Sequence, residues 1–121
     1  MSTDNIYLAV FIGSKTGQRA AAWAALTDSE RERRSQEGRA AWGAWMQKHQ
    51  ASVLELGGPL GRTKRVSEHG IEDVTNQLAA FVAVRAQSHE AAAKLFENHP
   101  HFTIFPGDAV EIMPVKPVPG T

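Results

Sequence analysis

Cysteine is absent from this chain of 121 residues. That absence excludes a disulfide scaffold, thiolate catalysis and any zinc site built on sulfur ligands. Neither sign of charge is in excess, because thirteen Lys and Arg are balanced by thirteen Asp and Glu. A neutral balance leaves no electrostatic footprint for nucleic acid or an anionic membrane. No apolar run approaches the roughly 20 residues that span a bilayer. No basic n-region precedes a long apolar stretch, so no secretory signal is read and a cytoplasmic protein is expected. Internal repeats and low-complexity tracts are also missing. The length fits one domain over 1–121, with residues 114–121 as an extended arm because Pro114, Pro117 and Pro119 exclude helix there.

Two segments read as central strands. In 5–12, Ile6, Leu8, Val10 and Ile12 point to one face and Tyr7, Ala9 and Phe11 to the other. Residues 78–86 are likewise apolar on both faces. Between them, alanine-rich sequence predicts a short helix over 18–25 and a long one from 28 to about 50. Thr27 and Glu30 have capping-box spacing, which marks the restart. The run Glu30–Arg34 reads as mixed charge on a solvated turn. Residues 53–57 alternate as a strand that Gly57-Gly58-Pro59 ends in a turn, and 62–66 is extended up to a turn at His69-Gly70. Ser88 suits an N-cap for a second helix reaching about Asn98, and 110–115 forms a last, edge-placed strand.

The order β-α-β-β-α-β predicts an α+β, ferredoxin-like antiparallel sheet with two helices on one face. Two helices cover only one face, yet both central strands are apolar on both. The second face therefore needs a partner, and another copy of the same sheet is the simplest. A homodimer through the sheet face is expected, with Phe11 and Phe81 placed in that interface.

Three segments carry a family resemblance: Trp42-Gly-Ala-Trp45 leading to His49, Gly57-Gly-Pro-Leu-Gly-Arg-Thr-Lys-Arg-Val66, and His99 to Asp108 followed by Val110-Glu-Ile-Met-Pro114. With these the chain resembles the YCII-related proteins of the dimeric α/β-barrel superfamily, from about residue 5 to residue 120. The resemblance implies two four-stranded sheets in a barrel-like dimer, with a pocket between each sheet and its helices. Superfamily relatives include isomerases, dehydrochlorinases and cofactor-free monooxygenases of small molecules. Better-understood YCII members look like enzymes with a His on the first helix paired to an Asp before a proline. Here the helix position falls near Ala41 or Trp42, and His99 precedes Pro100. Neither partner is kept in kind, so the resemblance implies a branch with a different pocket.

The residues themselves suggest proton transfer by imidazole, which titrates near neutrality. In His99-Pro100-His101 an extended backbone would set both rings on one side. The bland alternative has His99 closing the second helix on its last carbonyls, with His101 half-exposed. His49 shares a helical face with Trp42 and Trp45, which suggests an aromatic pocket or simply a core stripe. The glycine loop at 57–61 lacks the Lys-Ser/Thr of a phosphate loop, though Lys64 could anchor an anionic substrate group. Asp108 could orient a histidine or receive Arg62. Three histidines would make a zinc shell, but no HExxH-type signature supports one, and no metal or organic cofactor is expected.

Two classes of function remain. One is a cofactor-free lyase or isomerase with His99 as first candidate base, His49 or His101 as its partner, Trp42 and Trp45 as walls and Lys64 as anchor. The other is a non-catalytic dimeric module holding a small ligand in the same pocket. A nucleic-acid reader fits worst, given the balanced charge.

Overall fold

Alternation decides the central pair of strands. The computed structural model describes residues 5–119, so the outermost ends of the expected 1–121 domain and of the 114–121 arm lie outside the described residues. Strand β1 is Asn5–Ile12 and β5 is Leu78–Ala86. They pair antiparallel, with Tyr7 beside Val84, Ala9 beside Val82 and Phe11 beside Ala80. All six of these side chains are buried under helices and form the core. Phe11 is only 1% exposed and lies in that core, not in the open sheet face where a partner would sit. The correction follows from parity, because Phe11 shares its face with Tyr7 and Ala9.

Strands β2 (Val53–Pro59) and β6 (Ala109–Pro114) flank the pair, giving the sheet order β2-β5-β1-β6 with every neighbour antiparallel. The architecture is α+β, and this order is compatible with a ferredoxin-like plan. Gly57, Gly58 and Pro59 do not end β2 in a turn. They continue it through an irregular register in which Gly57 adopts φ +60° and its Cα lies against the carbonyl of Phe81. A Cβ there would stand 1.9 Å from that oxygen, so only glycine fits. Strands β3 (Thr63–Ser67) and β4 (Gly70–Val74) form a separate hairpin outside the main sheet, with Val66 and Ile71 paired and exposed.

Helix α1 is Gln18–Ala24 and α2 is Asp28–Lys48. Thr27 and Glu30 close the expected capping box, each side chain bonding the other's backbone N–H. The charged run that follows is not merely solvated. Arg31 donates to the terminal carbonyls of α1, among them Ala24 at 3.0 Å, and Arg34 donates to Ile104 O at 3.2 Å. Helix α3 is His89–Lys94, capped by the Ser88 hydroxyl, which accepts from Ala91 N–H. It stops short of Asn98 because the next bonds tighten to i→i−3 and Asn98 itself sits at φ 59°. A further short helix, α4 (Pro100–Thr103), follows at once. Among the described residues no helix is long and apolar enough to cross a membrane.

Candidate functional site

An apolar cavity of about 510 Å³ opens between α2 and the sheet. On α2, the spacing 39, 42, 46 puts Arg39, Trp42 and Met46 on one side, and Trp45 joins them. Gly58 and Pro59 of β2 border the cavity from below, while His101 and Phe105 close one end. Phe105 reaches this end because α2 carries Gly38 opposite it. A Cβ on Gly38 would lie 2.3 Å from the Phe105 ring. Trp45 is fixed by a hydrogen bond from its Nε1 to Leu95 O at 2.7 Å.

His99 and His101 do not lie along an extended strand with their rings side by side. Pro100 occupies the first position of α4, where its missing N–H costs nothing, and His99 is the N-cap. His99 Nδ1 accepts the backbone N–H of His101 at 3.0 Å. The His99 side chain therefore bonds the helix after it, rather than the carbonyls of the helix before it. Its ring is fully buried, packed against Trp42, Trp45 and Phe11 at centroid distances of 4.5, 4.9 and 5.0 Å. A backbone N–H can only donate, so Nδ1 carries the lone pair and the proton sits on Nε2. That Nε2 is buried without a hydrogen-bond partner. Burial, then the nearby His101 and His49, pushes His99 down to about 4, so it is neutral at pH 7.

His101 is buried as well, not half-exposed, at 7%. Three contacts lock it in place. Its N–H is held by His99, its carbonyl accepts from Gly107 N–H at 2.9 Å, and its Nε2 bonds Ile12 O at 2.8 Å. Because a carbonyl only accepts, Nε2 carries the proton and Nδ1 is the basic nitrogen. Gly107 passes so close to the ring that a Cβ would fall 2.2 Å from Nε2. Burial lowers the His101 pKa, opposed by the Ile12 bond and by Asp108, while Arg19 lowers it further.

The remaining candidates separate. His49 is the C-cap of α2, its ring 5.0 Å from Trp45, and lies outside the cavity wall. Lys64 sits on β3, paired to Asp73 at 2.8 Å, and borders a second cavity beside the hairpin. Asp108 is exposed and accepts Ser14 N–H at 2.7 Å, reaching His101 only through space. Among the described residues no three His, Asp or Glu gather where they could hold a metal ion. Arg39 is not among the candidates the sequence suggests, although its i−3 spacing from Trp42 is a usable signal. Phe105 had no such signal, since its place depends on the notch at Gly38.

No protein-family model matches the chain, and no curated protein matches it. Among solved structures it is similar to 5-chloro-2-hydroxyhydroquinone dehydrochlorinase from Burkholderia phenoliruptrix AC1100, in complex with 2,5-dihydroxybenzoquinone. The TM-score is 0.53 at 17% identity, covering 92% of this chain and 93% of that one. This is a distant relationship of fold.

Proposed function

We propose that the chain takes a small, flat, anionic organic molecule between α2 and the sheet and moves a proton on it through His101 Nδ1. The observation that carries this reading is the cavity wall. It is aromatic and aliphatic except for two side chains that can act on charge, Arg39 and His101. A neutral imidazole with its Nε2–H already committed to Ile12 O presents Nδ1 as a fixed base. In a lyase-type step, Nδ1 takes a proton from carbon or oxygen of the substrate. The freed electron pair forms a new π bond, and a leaving group departs with its own bonding pair. No organic cofactor enters this scheme. The fold neighbour's dehydrochlorinase activity and quinone ligand agree with this class. His101 replaces His99 as first candidate because only His101 borders the cavity.

The chain is read as one YCII-related unit whose open sheet face is covered by a second copy, as in a dimeric α/β barrel. Leu8, with Ala83 and Met113 beside it, and Val10, with Phe81 beside it, support this. The second reading is a binding module with no chemistry. It is favoured by the seclusion of His99 behind Trp42 and Trp45.

Titration with 2,5-dihydroxybenzoquinone, followed by tryptophan fluorescence, tests the pocket. Chloride release from 5-chloro-2-hydroxyhydroquinone tests the chemistry. Saturable quenching with chloride release that is lost in His101→Gln is the expected result. Quenching without turnover selects the binding module, and no quenching overturns both.

A further inference from the structure

His99 has no place at the cavity wall, yet it is the most deeply buried polar residue among the described residues. A buried imidazole without a partner for one nitrogen costs free energy. Something must offset that cost. Two contacts do so. Nδ1 caps α4 at the N–H of His101, where Ser, Thr, Asn or Asp would ordinarily serve. The ring itself wedges between Trp42 and Trp45, edge-on to both, and touches Phe11.

Asparagine or serine could provide the cap, but neither has a ring to hold the two tryptophans apart. Phenylalanine could hold the tryptophans, but it has no acceptor for His101. Histidine satisfies both demands. We infer that His99 is a positioning residue: its Nδ1 fixes the backbone of His101 and its ring props Trp42 and Trp45. One buried side chain thus sets both the base and the aromatic wall of the cavity. His99 touches no ligand and transfers no proton. The inference rests on the reading of His101 as the base, but its test needs no ligand, so the two can fail separately.

The test is imidazole ¹⁵N NMR on the whole chain across pH, for wild type, His99→Asn and His99→Leu. In wild type at pH 7, His99 should show a lone pair on Nδ1 and a proton on Nε2. His99→Asn keeps an acceptor for the His101 N–H, so the Nε2–H form of His101 should be retained. His99→Leu removes the acceptor, loosens α4 and admits water. The His101 midpoint should then rise toward the ordinary 6.5, since burial is the largest cause of its depression. The other titratable groups acting on the pair, His49 at the C-cap of α2, Arg19 on α1 and Asp108 before β6, are unchanged in these variants. A wild-type His99 protonated on Nδ1 would overturn the inference. So would His99→Leu with His101 unmoved, or His99→Asn with the Nε2–H form of His101 lost. If His99→Leu does not fold, the wild-type tautomer and His99→Asn still decide.

Discussion

The ring of His101 lies over the bare Cα of Gly107 while its Nε2–H reaches across to the carbonyl of Ile12, 2.8 Å away. The imidazole is held by a strand end on one side and a glycine on the other. A residue fixed in this way has one tautomer and one orientation, which is what a base working in a small cavity requires. His99 supplies the third constraint, through the backbone.

The two buried histidines make stability fall with acid. In the folded chain His99 sits at about 4, against 6.5 for an ordinary imidazole. Below pH 6.5 the unfolded chain binds a proton that the folded chain refuses, so stability declines as pH drops from 6.5 to about 4. His101 adds to the loss in the same direction. Over the interval from pH 7 to pH 4.5 the His99 contribution is about 2 kcal/mol. Urea denaturation at pH 7 and pH 4.5 measures it. His99→Asn should flatten this acid limb, and an equally steep limb in that variant would assign it to other groups.

Two adjacent glycines should respond in opposite ways to alanine. At Gly57 the new Cβ meets the Phe81 carbonyl at 1.9 Å, and the residue holds φ +60°. Overlap with backbone cannot be relieved by a rotamer change, so Gly57→Ala should cost at least about 3 kcal/mol or prevent folding. At Gly58 nothing lies within 4 Å of the added atom, and Gly58→Ala should stay within about 0.5 kcal/mol of wild type. Thermal melts of the two variants check the contrast. Equal losses would mean that β2 does not follow this bulged register.

Local signals in the sequence were the most dependable ones. Thr27 and Glu30 announce their capping box three residues apart, and the alternation in 5–12 and 78–86 marks the paired strands. The same parity puts Phe11 with Tyr7 and Ala9, in the core and away from the interface expected for it. The sequence reading takes Pro100 as part of an extended backbone, whereas the first position of a helix is where proline is at home. The cap itself was hidden because histidine is outside the usual capping set. Trp42 and Trp45 could be placed together from helical spacing. Phe105 and Gly38 could not, because their contact spans distant segments and depends on a missing side chain.

Arg39 should act on ligand affinity and leave stability alone. Its contact with Glu32 is 3.6 Å long between exposed side chains, which is worth less than about 1 kcal/mol. Toward an anion in the cavity it would form a charge-assisted hydrogen bond, a stronger interaction. Arg39→Met should therefore weaken binding of 2,5-dihydroxybenzoquinone by roughly tenfold or more, with an unchanged melting temperature. Calorimetric titration alongside a melt separates the two. Undiminished affinity would show that the anion is held elsewhere.

The open sheet face carries the last prediction. Ile6 and Met113 are 46% and 39% exposed, and between them Leu8 stands beside Ala83 on one neighbour strand and Met113 on the other. Water against such a surface is unfavourable by about 25 cal/mol per Å², so a second copy placed face to face gains stability from covering it. Sedimentation should then give twice the 13.2 kDa chain mass at micromolar concentration. Leu8→Glu places a carboxylate at the centre of that face. It should yield a monomer whose helix-covered core, on the opposite side of β1, is untouched. Retained α-helical circular dichroism with halved mass is the expected pair of results. A wild-type chain that sediments as a monomer would leave the face to a different partner and remove the dimeric barrel from the proposal.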